Sequence, residues 1–325
     1  MVEPLNPRRA SVFGAVQAAL ARPAAWGSVW AVECALATIP ALMWFGWLQG
    51  AVDHHYAPDE LFADLGTVFR FDQRVELAAV EGGAALASAV LALLFMALGA
   101  FAAGGWLALF ASNRPERGLR PFLAGGARFL GRFARVWVLT LLLLAFVSWL
   151  ARGAPWDRAV LGGLLRVPAS DFDKLETLQS EATVFAVRAA QAVVHALFVA
   201  LVLAWGDLTR TRIALFDASS ALWAGLESAA MIVRHPLRSL APGAGLFLFE
   251  VAAVTGLGFV AHRIDATVGA LGEVAVLFVL GQLVLAWRVV LRGARYHAAV
   301  GVVHALARPP ARPDPWRYGR LDADA

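Results

Sequence analysis

The sequence AVVHALFVALVLAWGDLTRTR, residues 192–212, passes from a long apolar run into a group of arginines. A helix of about 20 predominantly apolar residues is long enough to cross the hydrocarbon core of a bilayer. Tryptophan is enriched where such helices leave the hydrocarbon, and arginine beyond that point. The stretch therefore predicts a membrane-spanning helix that ends near Trp205, with Arg210 and Arg212 in the headgroup region.

The five letters LVLAW occur at 201–205 and again at 283–287, and an arginine follows each tryptophan by five positions, at Arg210 and Arg292. The offset of 82 residues is compatible with a repeated structural unit. Chance is the alternative interpretation, because the composition is rich in Leu, Val and Ala.

The composition places the whole chain in the membrane class. Hydrophobic residues make up 60% of the 325 residues and charged residues 16%, with a mean hydropathy of +0.65. A membrane barrel would show alternating segments of about 10 residues, whereas these apolar runs are continuous. We therefore predict an all-α polytopic membrane protein. Its six apolar windows are approximately 27–49, 82–111, 136–151, 182–206, 242–261 and 272–291.

Three comparable segments precede the first, third and fifth windows, at 11–23, 119–137 and 219–236. Each is predicted to be an amphipathic helix lying in the headgroup plane. The first and third segments end in Arg-Pro and Arg-His-Pro, which favours a helix boundary there. A fourth such segment begins at Tyr296.

The chain then consists of three hairpin units within one six-span domain, residues 1–306. The units cover approximately 1–112, 113–210 and 211–306. The proline-rich tail, residues 307–325, is predicted to be disordered and cytoplasmic.

The basic residues predict the orientation. With the amino terminus inside, 20 of the 28 Lys and Arg residues fall in inner segments, which places both termini in the cytoplasm. The pI near 9.9 is explained by this topology and by anionic lipid of the inner leaflet, not by a nucleic-acid groove. The polar start MVEPLNPRRA resembles no cleavable signal, so we expect the first span to act as an uncleaved anchor.

Polar side chains inside spans are costly in lipid and usually face protein or water. Arg188, Gln191 and His195 follow the spacing i, i+3 and i+7, so they share one side of the fourth span. We expect Arg188 to face a carboxylate. Three carboxylates are candidate partners: Glu81, Glu181 and Glu250.

His195, Glu250 and Gln282 fall near the middle of spans four, five and six, and Glu33 in the inner third of span one. A midplane cluster of the first three would suit a proton or solute path, since an imidazole exchanges protons near neutral pH. The alternative is interhelical hydrogen bonding that fixes the register of the bundle. We favour this structural interpretation, because six-span bundles with a few buried polar residues need no transport role.

The segment DLTRTRIALFD, residues 207–217, is the most distinctive cytoplasmic stretch. Asp207 and Arg210 can pair at i, i+3, and Arg210 with Arg212 can bind lipid phosphate. One group of residues is expected at lipid headgroups or at inner corners: Arg128, Arg132, Arg135, Asp207, Arg210, Arg212 and Arg292.

The outer segment DHHYAPDE, residues 53–60, brings together histidines and carboxylates. Metal binding by His54, His55, Asp59 or Glu60 is one interpretation. We favour a solvated loop, because adjacent histidines lack the i, i+4 geometry of a helical metal site.

Small residues in span two form small-xxx-small pairs that permit close helix contact: Gly99, Ala100, Ala103 and Gly104. The single cysteine, Cys34, has no partner for an internal disulfide. The sequence holds no phosphate loop, HExxH motif or GxSxG elbow. We therefore expect no catalytic activity, no cofactor and no bound metal.

The hairpin organisation, the DLTRTRIALFD corner and the segment RHPLRSL (234–240) resemble a group of uncharacterised bacterial six-span inner-membrane proteins. These proteins are similar to YciC-like proteins and to the membrane domains of some glycerophosphodiester phosphodiesterases. The resemblance covers residues 8–306 and implies an all-helical fold in a bacterial plasma membrane, without catalytic residues to carry over.

The sequence thus predicts a non-catalytic accessory or scaffold protein of the membrane. It would contact anionic lipids and a membrane protein partner or a second copy of itself, and no nucleic acid. The alternative is a small transporter or lipid-handling permease that uses the polar residues of spans four to six.

Overall fold

The computed structural model describes residues 11–55, 74–111, 118–167, 180–264 and 271–307. All regular elements within these ranges are helical. They are α1 (Val12–Leu20), α2 (Pro23–His55), α3 (Arg74–Ala111), α4 (Leu119–Arg152), α5 (Ala154–Trp156) with a following π-helix (Asp157–Leu164), α6 (Glu181–Phe216), α7 (Ala221–Arg234), α8 (Pro236–Arg263) and α9 (Leu271–Leu306).

Six segments of the described chain are long and apolar enough to cross a membrane, which confirms the six predicted windows. They are Pro23–Gly50, Arg74–Ala111, Leu119–Leu164, Glu181–Phe216, Pro236–Arg263 and Ala275–Leu306. Many of their large apolar side chains are exposed in the isolated chain, among them Leu142 and Phe146 on α4. Exposed apolar surface along a span suits contact with lipid. The chain is a multi-pass, all-α membrane protein.

Prolines separate the short helices from the spans that follow them. α1 ends before Pro23 and α7 ends at Arg234, with Pro236 as the first residue of α8. A residue before proline is disfavoured in helical geometry, and proline fits the first helical position. The predicted helices before spans one and five are therefore distinct elements.

The predicted surface segment 119–137 is not a separate helix, because α4 runs without interruption from Leu119 to Arg152. Its only proline, Pro121, lies in the first turn, where proline is tolerated. The segment that begins at Tyr296 likewise continues α9. Between these segments and the spans beside them, a boundary appears only where a proline follows the segment.

The contacts group the chain into two compact bodies. The first body contains Met1–Leu130 and Ala241–Ala305, and the second contains Gly131–Leu240 and Leu306–Ala325. This grouping differs from the three predicted hairpin units, and the hairpin repeat stays a prediction. The predicted tail lies outside the described residues except for Ala307.

Glycines allow α3 and α4 to approach closely in the first body. A Cβ added to Gly104 would lie 2.8 Å from the carbonyl oxygen of Gly125, and one added to Gly105 would lie 2.5 Å from the Phe122 ring. The close contact predicted for Gly104 is confirmed. Gly99, from the same predicted stripe, has nothing within 4 Å of an added Cβ.

Candidate functional site

Two residues of the predicted stripe on α6 bind α4 in the second body. His195 Nε2 lies 3.1 Å from Ser148 Oγ, and Gln191 Nε2 donates to the Ala151 carbonyl oxygen at 3.2 Å. The carbonyl of Ala151 is among the last four of α4, which have no partner within an α-helix. Gln191 therefore supplies a donor that the end of α4 requires.

The third residue of the stripe, Arg188, does not have the predicted partner. Its side chain is exposed, and no carboxylate of the described residues lies within ion-pair distance of it. Arg188 is seven residues from the start of α6, which is a rise of about 10 Å. A long arginine side chain near a helix end reaches the membrane interface, so it requires no ion pair inside the span.

Two carboxylates inside spans of the first body, Glu33 and Glu250, pair with arginines of α9. Arg292 Nη1 donates to Glu33 Oε1 at 3.0 Å, and Arg288 Nε donates to Glu250 Oε1 at 3.1 Å. Glu33 is 5% exposed, so its charge depends on this partner. The guanidinium of Arg292 thus holds α9 against α2, and its predicted contact with a lipid headgroup stays a prediction.

A third polar contact in the first body joins the same two helices. The Cys34 thiol donates to Gln282 Oε1 at 3.0 Å. The residues of the predicted midplane cluster thus have other partners: Cys34 for Gln282, Arg288 for Glu250 and Ser148 for His195. The sequence analysis did not assign a contact to Cys34, Ser148 or Arg288. The apolar runs around His195, Glu250 and Gln282 indicate that these side chains need partners, but they do not identify which helix supplies each partner.

The predicted arginine corner forms a set of ion pairs in the second body. Arg210 Nη1 donates to Asp207 Oδ1 at 3.0 Å, which confirms the predicted i, i+3 pair. Arg212 pairs with Glu227 of α7, a residue that the sequence analysis did not select. Both arginines are 7% exposed and paired within the body, which favours a corner contact over lipid phosphate, the two locations predicted for them.

The three arginines on the first half of α4 differ in their surroundings. Arg132 Nη1 pairs with Asp217 Oδ1 at 2.5 Å, and Asp217 ends α6 in the left-handed conformation with φ 51°. Arg135 is exposed, with Nη1 3.5 Å from the Ser219 carbonyl oxygen. Arg128 is also exposed and lies over the Phe129 ring at 5.2 Å. Arg132 therefore fixes the corner that follows α6, whereas Arg128 and Arg135 keep exposed surface, and their headgroup contacts stay predictions.

A tryptophan docks α7 onto α6 in the second body. Trp205 Nε1 donates to the Gly225 carbonyl oxygen at 2.8 Å. A Cβ added to Gly225 would lie 2.7 Å from the Trp205 ring, so only glycine permits this approach. Trp205 is the tryptophan of the first LVLAW copy. Its structural role is thus to hold the helix that follows its own span.

The predicted outer metal loop lies outside the described residues. The side chains of His54 and His55, and all of residues 56–60, belong to the part of the chain that the structure does not describe. Within the described ranges, no three His, Cys, Asp or Glu side chains form a group that could hold a metal ion. The metal site at His54, His55, Asp59 or Glu60 and the favoured solvated loop both stay predictions.

Comparison with protein-family models, curated proteins and solved structures finds no match for this chain. The resemblance to YciC-like proteins and to phosphodiesterase membrane domains therefore stays a prediction.

Proposed function

We propose that this protein is a non-catalytic accessory or scaffold protein of a bacterial plasma membrane, with both termini in the cytoplasm. In this role it contacts anionic lipids of the inner leaflet and assembles with a membrane protein partner or with a second copy of itself. The observation that carries the proposal is a set of five polar contacts that join neighbouring spans.

Two polar contacts join α6 to α4 in the second body, and three join α9 to α2 and α8 in the first. An interhelical hydrogen bond in a membrane contributes about 0.6 to 2 kcal/mol. Contacts of this kind fix helix register, which is what a scaffold requires. The orientation is supported by the excess of arginine in the inner segments.

Purification in mild detergent tests the assembly role. We expect a membrane protein or a second copy, together with anionic lipid, to remain bound at a constant ratio to the protein. Mass photometry and lipid analysis would measure that ratio. A lipid-free monomer under the same conditions would contradict the proposal.

Flux measurements on sealed vesicles distinguish the scaffold from the transporter or lipid-handling alternative. We expect vesicles with the protein to match protein-free vesicles in proton leak and in exchange of fluorescent phospholipid between leaflets. Flux above this background that is lost in His195→Ala and Gln282→Ala would favour the transporter, because these residues belong to the predicted path. Arg234→Ala is the control, because Arg234 is exposed on α7, outside the spans.

A further inference from the structure

An apolar slot of about 380 Å³ lies in the second body between α4, α6 and α7. Leu139 and Leu143 of α4 line one side, and Leu222 and Leu226 of α7 line the other. Trp205 also lines it, and the hydrogen bond from its indole to the Gly225 carbonyl oxygen fixes that ring in place. The slot is therefore built from elements that are held together by direct contacts.

A positive charge lies at one end of this slot. Arg135 is exposed and precedes Leu139 by one turn, so both residues lie on the same face of α4. Its Nη1 lies 3.5 Å from the carbonyl oxygen of Ser219, three residues before Leu222. That distance is at the outer limit of a hydrogen bond, and a guanidinium has five N–H donors. Arg135 can therefore bind an anion while it stays beside the slot.

We propose that the slot binds one acyl chain of an anionic phospholipid, with the lipid phosphate against Arg135. The inference deepens the proposed function and rests on it, because that function places this end of α4 in the inner leaflet. The apolar lining matches the chain, and the guanidinium matches the phosphate.

The charge beside the slot favours a lipid over a helix of a partner protein. An anionic phospholipid carries both an acyl chain for the apolar lining and a phosphate for Arg135. An apolar membrane-spanning helix offers no anion to that guanidinium. The slot is partly open, so an acyl chain can lie in it over part of its length.

Native mass spectrometry of the full-length protein tests this site, with dioleoylphosphatidylglycerol as the probe and dioleoylphosphatidylcholine as its neutral counterpart. Ala229→Phe places a ring in the slot, because Ala229 lines it. The matched control is Ala230→Phe at the next residue, which is exposed and does not line the slot. Arg135→Gln removes the charge from an exposed side chain, and Arg234→Gln on the exposed surface of α7 is its control.

We expect the wild type and both controls to retain one phosphatidylglycerol. Affinity should fall about tenfold in Arg135→Gln, the size expected for one lost hydrogen bond to a charged group. Ala229→Phe should lose the bound lipid, and Arg135→Gln should also lose the preference over phosphatidylcholine. Equal retention in Ala229→Phe and Ala230→Phe would overturn the proposal, as would a slot variant that changes the oligomeric mass but not the lipid. Flux in the vesicle assay would refute the scaffold function and leave this lipid result unaffected.

Discussion

Glu33 and Arg292 form the most buried ion pair between spans among the described residues, with side chains 7% and 33% exposed. Arg292→Ala leaves the Glu33 carboxylate without a partner inside the first body. Removal of one member of a buried pair costs about 3 to 5 kcal/mol. We expect Arg292→Ala to unfold at a clearly lower temperature in detergent than the wild type, as measured by circular dichroism.

Arg188→Ala is the control, because Arg188 is exposed and no carboxylate of the described residues lies within ion-pair distance of it. Its loss should change stability by about 0.5 kcal/mol or less. The double variant Glu33→Gln with Arg292→Gln should recover most of the stability that Arg292→Ala loses, since no charge then lies buried. Equal effects of Arg292→Ala and Arg188→Ala would contradict the assignment of Glu33 and Arg292 as a buried pair.

A side-chain ion pair was predictable from the sequence where both of its residues lie on one helix. Asp207 and Arg210 are three residues apart, so helix geometry alone brings them together. Glu33 and Arg292 are 259 residues apart, and their contact depends on the register between α2 and α9. That register follows from packing along the whole helices, which a single sequence does not specify.

The close contact between α3 and α4 can be tested by the substitution of one glycine. A Cβ at Gly125 would lie 2.9 Å from the Gly104 carbonyl oxygen, so Gly125→Ala must separate the helices. Overpacking of this kind costs about 1 to 3 kcal/mol. We expect a lower thermal midpoint and weaker protection of α3 and α4 from hydrogen exchange.

Gly131→Ala on the same helix is the control, since nothing lies within 4 Å of a Cβ there. Removal of a helical glycine should stabilise the protein by about 0.5 to 1 kcal/mol. Opposite signs for Gly125→Ala and Gly131→Ala are therefore expected. A stabilised Gly125→Ala would show that the two helices do not approach as closely as described.

The contact between α7 and α6 can be tested by substitution of Trp205. Trp205→Phe removes the hydrogen bond to the Gly225 carbonyl oxygen while it keeps an aromatic ring. A bond worth about 1 kcal/mol corresponds to roughly fivefold faster hydrogen exchange in α7. Trp287→Phe, in the second LVLAW copy, is the control because no described group accepts a hydrogen bond from that indole. Unchanged exchange in Trp205→Phe would contradict the docking role.

Helix boundaries followed from the sequence wherever proline marks them. Pro23 and Pro236 each start a span, as predicted. The predicted boundary near residue 137 was wrong, because amphipathic character changes along α4 without any residue that breaks the helix. A change from an amphipathic to an apolar pattern is thus weaker evidence for a helix boundary than a proline, which restricts the backbone.

At the scale of the whole molecule, the six spans were predictable because their length and hydropathy reflect the bilayer itself. The two bodies were not predictable, since they bring residues 241–305 together with residues far earlier in the chain. Such long-range grouping depends on side-chain packing between helices that look alike in sequence. The local sequence pattern indicates whether a segment lies in the membrane. It does not identify the helices that the segment contacts.

We predict that the arginine-rich connections of this six-span chain all lie on one side of the membrane. Single cysteines at Gly118, Ser180 and Ser219, in a Cys34→Ser background, test it by labelling with a membrane-impermeant maleimide in intact cells. All three positions are exposed and lie next to helix ends. We expect labelling at Ser180→Cys alone, and labelling at Gly118→Cys and Ser219→Cys only after permeabilisation. Labelling of Gly118→Cys but not Ser219→Cys in intact cells would contradict the account.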